Sequence, residues 1–353
     1  MRKSWILLLV LALGCVGSGE QGAGASGAAS VTGAPDLRGT GWEGLLGEYE
    51  SETQGAFILL EKYGLLHIHR DFVTGLFPDT GLSAGLRVLA HGEYESPLWG
   101  TSAVHKLSFE IDAQGRGVAA VVDGERYRRR WIEPQSGSAF RITPIRPVDE
   151  LRRAALAAEP PVEEGEFGST DLVEITSLDS TIHLDIRYAT DNNFMGVRFY
   201  DEPRAFAQRE VAEALVRVHR AAADSGYGLL IHDAYRPWYV TKMFWDATPE
   251  ELRDFVADPA SGSRHNRGAA IDLSLYDLTT GEPVEMVSGY DEFSPRAAAD
   301  YPGGTSSQRR LRAMLRGLMG VEGFAVYQAE WWHFDFDGWD GWRIGNQTFD
   351  LIR

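Results

Sequence analysis

One cysteine, Cys15, stands in a chain of 353 residues, so no disulfide can form within it and a disulfide-stapled scaffold is excluded. Long apolar runs are also missing. The run from Trp5 to Leu13 is too short for a bilayer, and no later stretch is long or apolar enough to cross one. Basic residues are outnumbered, 34 against 51 acidic ones, for a formal net charge of −17. That balance argues against nucleic acid or an anionic membrane surface as a partner. It suits solubility in an exported protein and says nothing by itself about catalysis.

What is present begins with a basic start, Arg2 and Lys3, then the apolar run and small residues, the pattern of a secretory signal. Ala12-Leu13-Gly14-Cys15 resembles a bacterial lipoprotein cleavage box, although leucine would be expected where Ala12 stands and a small residue where Leu13 stands. A lone cysteine beside Gly14 favours lipid attachment at Cys15 over a merely apolar role. Residues 1–15 are read as a signal with a lipobox and 16–36 as a flexible Gly/Ala/Ser tether. The protein is expected to be exported, periplasmic or at the cell surface, and to meet a membrane only through the anchor.

Residues 37–147 carry short β-like runs, among them Ala56-Phe57-Ile58-Leu59-Leu60 and Gly117-Val118-Ala119-Ala120-Val121-Val122. Asp123-Gly124 and Asp112-Ala113-Gln114-Gly115 supply turns, so a small all-β barrel or sandwich is expected. His67 and His69 share a strand face there and are read as exposed face residues, not as a metal pair. Residues 148–166 read as a short helix and an acidic linker, and 167–353 as a second, α+β domain. Helical spacing marks 204–225 and 308–319 as amphipathic helices with apolar faces in the core, and His219 is expected at the surface.

The chemistry concentrates in two segments, Ser263-Arg264-His265-Asn266-Arg267-Gly268-Ala269-Ala270-Ile271-Asp272 and Glu330-Trp331-Trp332-His333. Catalytic zinc takes three N/O ligands, leaves a position open for water, and needs a further carboxylate to accept that water's proton. His265, Asp272 and His333 fit the ligand roles and Glu330 fits the base. Gly268 lets the chain turn sharply before an apolar strand, so a loop histidine can fold back toward Asp272. On a regular strand Glu330 and His333 would face opposite sides, so a bend or bulge is required between them. Each segment alone reads more readily as packed, hydrogen-bonded core residues. A third segment, Asp233-Ala234-Tyr235-Arg236-Pro237-Trp238, closes an apolar strand and can aim Arg236 into a cleft, or leave it in a surface salt bridge.

These motifs, with Tyr188-Ala189-Thr190, Asn193-Phe194, Gly196 and Tyr290-Asp291, resemble the D-alanyl-D-alanine dipeptidase family from about Leu172 to about Phe336. The resemblance implies a zinc dipeptidase, one Zn2+ per chain, with helices packed on a small antiparallel sheet. It implies that His265, Asp272 and His333 ligate the metal, Glu330 is the general base and Arg236 stabilises the tetrahedral intermediate. Asp291 and Tyr188 would hold the substrate's free ammonium, and Ser263 would help to bind substrate. The expected partner is D-Ala-D-Ala or a related cell-wall peptide. Two rivals stand beside this reading: a zinc D,D- or L,D-carboxypeptidase trimming wall peptides, and a non-catalytic wall-binding lipoprotein.

Overall fold

Strands make up most of the N-terminal part of this computed structural model, which describes residues 42–69, 83–88, 94–97, 104–131 and 140–352. The signal, the lipobox with Cys15 and the tether lie outside the described residues. The strands are β1 (Gly47–Ser51), β2 (Gly55–Lys62), β3 (Leu65–His69), β4 (Ser83–Gly85), β5 (Arg87–Val88), β6 (Tyr94–Pro97), β7 (Val104–Ile111), β8 (Gly117–Val122) and β9 (Glu125–Arg130). They pair antiparallel in the order β4-β3-β2-β1-β9-β8-β7-β6-β5. The two edge strands, β4 and β5, are separated in sequence by Leu86 alone, so the sheet curls until its edges meet. Tyr63-Gly64 and Asp123-Gly124 turn with positive φ at both positions, the geometry that matches the twist of a two-residue hairpin.

The strand period gives this sheet two buried faces. Phe57 and Leu59 of β2 fill the sheet's own core with Tyr49, Leu107 and Tyr127, while Ile58 and Leu60 point the other way and join the larger C-terminal core. His67 and His69 are partly buried rather than exposed.

The C-terminal part is mixed α+β. Its elements are α1 (Val148–Leu156), β10 (Leu172–Glu174), α2 (Ile175–Leu178), β11 (His183–Leu184), β12 (Phe206–Gln208), α3 (Arg209–Ala223), β13 (Tyr227–Asp233), α4 (Trp238–Ala247), β14 (Ala270–Asp277), α5 (Ser306–Val321), β15 (Phe324–Val326) and β16 (His333–Phe336). The central sheet runs β11-β13-β14-β16-β15. It departs from the expected antiparallel sheet at one edge, because β11 pairs parallel to β13. A parallel neighbour needs a crossover, and α3 lies in the connection between the two. β10 and β12 form a separate two-stranded ribbon.

Both amphipathic helices form, with Val211, Leu215, Val218 and Ala222 of α3 and Leu311, Leu315 and Met319 of α5 buried, but the first starts only at Arg209, because Phe206–Gln208 pair with β10 as β12. The expectation for His219 fails. It is buried, its Nδ1 accepts from the Leu229 amide at 3.1 Å, and its Nε2 lies 2.9 Å from Thr181 Oγ1. Both partners are remote in sequence, and together they satisfy a core imidazole. The acidic stretch after α1 is tied down as well. Glu163 accepts from Arg267 Nη2 at 2.6 Å and from the Ile344 amide at 2.8 Å.

All the described residues belong to one unit, Ala34–Arg353. Glu61 of β2 accepts the Ser306 amide at the first turn of α5 (2.5 Å), and Tyr301 donates to Glu48 of β1 at 3.3 Å. No described helix is long and apolar enough to cross a membrane.

Candidate active site

Register brings the site together. β13 slips by one residue between Ile231 and Asp233, which sets Asp233 opposite Asp272 of β14, and Asp272 in turn lies opposite His333 of β16. Three ionisable side chains therefore stand in one row at the end of the sheet. His265 reaches that row from a single 3-10 turn, Arg264–Arg267, and Gly268 then reverses the chain with φ +67°. A Cβ at Gly268 would come within 2.5 Å of Leu172, so glycine is demanded by space as well as by backbone. Ser263 caps the turn, its Oγ accepting from the His265 amide at 3.2 Å, while Asn266 closes the capping box through the Ser263 amide at 2.7 Å.

The required irregularity before His333 is a turn, not a bulged strand. β15 ends at Val326, the Glu330 amide donates to Tyr327 O at 3.1 Å, and β16 begins at His333. Trp331 anchors the turn by donating Nε1–H to Ser288 Oγ at 2.8 Å, and Trp332 is buried beside it. Glu330 ends with Oε2 3.9 Å from His333 Nδ1.

Proton bookkeeping around the two imidazoles decides what this cluster can hold. His265 Nδ1 lies 2.8 Å from the Ala234 carbonyl, which can only accept, so the ring proton is on Nδ1 and the Nε2 lone pair points inward. His333 Nε2 likewise donates to Asp335 Oδ1 at 2.9 Å, so its Nδ1 faces inward and is the nitrogen that can ligate a metal once it gives up its proton. Those two nitrogens are 3.1 Å apart, and Asp272 Oδ1 is 3.3 Å from the first and 3.0 Å from the second. Three acceptors this close repel unless a proton or a cation lies among them. Tetrahedral zinc at about 2.0–2.1 Å from its nitrogen ligands sets them about 3.3 Å apart, which these residues match. Tyr290 donates to Asp272 Oδ2 at 2.9 Å and so turns Oδ1 toward the histidines.

Electrostatics agree with the geometry. Burial opposes ionisation of Asp272, but His265 and His333 outweigh it and hold the carboxylate well below its usual range. Burial works against a charged His333, yet Asp272 and Asp335 raise it to about 10. Burial lifts Glu330 to about 7, with His333 opposing and Asp272 adding to the shift. Asp291 is pushed well above the carboxylate range, chiefly by burial, despite the 2.7 Å hydrogen bond it accepts from Tyr188 Oη. It is a buried acid short of a cation, held at φ +56° in a strained backbone conformation of the kind that gathers at functional sites.

Arg236 is not a surface salt bridge. It is 8 % exposed, its Nε and Nη2 donate to Asp233 Oδ2 at 2.9 and 2.8 Å, and its guanidinium lies over the rings of Tyr188 and Phe244 at 5.3 and 4.9 Å. Asp233 is fixed in turn by Tyr200 Oη at 2.8 Å. His265, Asp272, His333, Glu330, Arg236, Asp291, Tyr188 and Ser263 all line one cleft of about 410 Å3. Sequence reasoning missed the partners behind them, Asp233, Tyr290, Asp335 and the Ala234 carbonyl. Asp335 had a readable signal, since a residue two places after His333 on a strand shares its face.

A model of the family described as D-ala-D-ala dipeptidase matches residues 168–349, just over half of the 353-residue chain. The chain belongs to that family. Members of the dipeptidase family are metal-dependent peptidases, and every residue of the cleft named above falls inside the matched span. The D-alanyl-D-alanine dipeptidase of Escherichia coli is 34% identical over 167 residues, 47% of this chain and 85% of that protein. That of Enterococcus faecium is 37% identical over 183 residues, 46% of this chain and 91% of its own length, and that of Streptomyces coelicolor 36% over 185 residues, 46% and 90%. The curled N-terminal sheet lies before the family match.

Proposed function

We propose that this peptidase hydrolyses the D-alanyl-D-alanine dipeptide, using one zinc ion per chain held by His265, Asp272 and His333. The observation that carries the reading is the convergence of three potential ligand atoms 3.0 to 3.3 Å apart, with a carboxylate lifted to about 7 beside them. Zinc bound there would polarise the amide carbonyl and make a water acidic enough to react near neutral pH. Two imidazoles in the ligand set favour zinc over calcium or magnesium. Glu330 takes the proton from the attacking water and gives one to the departing amine. Arg236, locked by Asp233, presents fixed positive charge to the oxyanion. Asp291 and Tyr188 hold the free ammonium, and Ser263 borders the substrate while capping the turn that carries His265. We further place the enzyme outside the cytoplasm, anchored through an acylated Cys15.

The deciding assay incubates purified protein, with and without chelator, with D-Ala-D-Ala, L-Ala-D-Ala and a wall pentapeptide. Only the first should be cleaved rapidly, and chelator should abolish it. Faster cleavage of the pentapeptide would move the assignment to a carboxypeptidase.

Metal analysis should find about one zinc per chain, and His333→Ala should lose most of it. Full retention in that variant would exclude His333 as a ligand. Because His333 rests near 10 in the protein alone, zinc uptake at pH 7 should release about one proton, so affinity weakens as pH falls. Calorimetric titration in buffers of different ionisation enthalpy measures that proton directly.

Arg236→Lys should lower turnover by about two to three orders of magnitude, because an ammonium cannot both satisfy Asp233 and present a second donor edge. A change in melting temperature with turnover intact would reduce Arg236 to a structural role.

A further inference from the structure

We propose that the cleft also accepts dipeptides whose N-terminal D-residue carries an apolar side chain larger than methyl, with Phe255 as the surface that such a side chain covers. The inference rests on the dipeptidase reading above and concerns the same site. A continuous aromatic wall starts at the ammonium end. Tyr188, whose hydroxyl meets Asp291, packs on Phe244 with ring centroids 4.8 Å apart, and Phe244 packs on Phe194 at 5.0 Å. Phe194 meets Phe293, two residues beyond Asp291, at 5.2 Å, and Phe293 stacks on Phe255 at 4.8 Å with planes 7° apart.

Four of these rings close ordinary ring contacts. The fifth, Phe255, lines the same cleft with 41% of its surface exposed. It ends a short 3-10 turn, Glu250–Phe255, none of whose residues is buried, so its exposure is not forced by a neighbouring core. An exposed ring backed by stacked rings is a surface that loses water when an apolar group covers it. The cleft of about 410 Å3 has the whole dipeptide to hold and lies in the size range that encloses ligands larger than D-Ala-D-Ala.

The test compares kcat/KM for D-Ala-D-Ala, D-Leu-D-Ala and D-Phe-D-Ala in the zinc-loaded full chain and in its Phe255→Ala and Phe255→Leu variants. The two larger substrates should be turned over within tenfold of D-Ala-D-Ala or faster. Phe255→Ala should cost D-Phe-D-Ala about tenfold more than it costs D-Ala-D-Ala, the size of effect expected from a lost apolar contact, and Phe255→Leu should recover part of that loss. If D-Ala-D-Ala is cleaved but both larger dipeptides fall more than tenfold below it, the inference is overturned and the dipeptidase reading stands. Equal losses on all three substrates in Phe255→Ala would remove Phe255 as that surface. If no dipeptide is cleaved, the dipeptidase reading itself fails.

Discussion

Glu330→Gln should retain fold and zinc yet lose about three to four orders of magnitude in kcat, the upper part of what a positioned base contributes. Two proton transfers are assigned to this one group, which is why the upper part applies. Its neighbours separate this role from metal binding: Glu330 lies 3.9 Å from His333 Nδ1, whereas the converging atoms lie 3.0 to 3.3 Å from one another. The pH profile supplies the second readout. The base works as the carboxylate; burial raises it to about 7 in the metal-free protein and a bound dication pulls it down again, so activity should rise with pH along a limb that lies below about 7 and belongs to Glu330. A side-chain amide in its place has nothing to titrate, and the residual activity of the Glu330→Gln variant should lose this limb. Near-normal turnover in that variant would move the proton acceptor elsewhere in the cleft.

N-acetylation of D-Ala-D-Ala should reduce its hydrolysis by about three orders of magnitude or more, the penalty met by sites built around one polar group. Asp291 is buried and pushed toward its neutral form, and an ammonium would restore the charged one with a charge-assisted hydrogen bond. The blocked substrate removes the cation but not the cost of burying the acid. Asp291→Asn is the cleaner variant, since asparagine tolerates the left-handed backbone at φ +56° where alanine would add strain. It should erode D-Ala-D-Ala turnover and narrow the gap between free and blocked dipeptide in a kcat/KM comparison. A native enzyme that cleaves both equally fast would refute the ammonium pocket.

How much of this was legible in the sequence follows from the range of the forces involved. The return of His265 toward Asp272 was readable because Gly268 and the apolar strand after it are local signals. The approach of Glu330 was readable only as a contradiction of strand period. Residues 327–332 form a turn without glycine or proline, and its anchor, Trp331 on Ser288, spans 43 positions. His219 was misplaced for the same reason, its partners being Thr181 in the turn before β11 and Leu229 on β13. The parallel β11 escaped notice because two residues carry no periodicity. Arg236 was left between a cleft and a surface salt bridge, and only the buried Asp233 with the rings around it excludes the second.

The junction at Glu61 and Glu48 bears on how variants of this enzyme would behave. Glu61 holds the start of α5 and Glu48 meets Tyr301, so the segment between Asp291 and that helix is gripped from the N-terminal sheet, whose Ile58 and Leu60 also belong to the larger core. Elements that share a core share their unfolding equilibrium. A substitution deep in the curled sheet would therefore deplete active molecules without touching the cleft. In a genetic screen, loss-of-function alleles would scatter across the half of the gene that encodes no catalytic group.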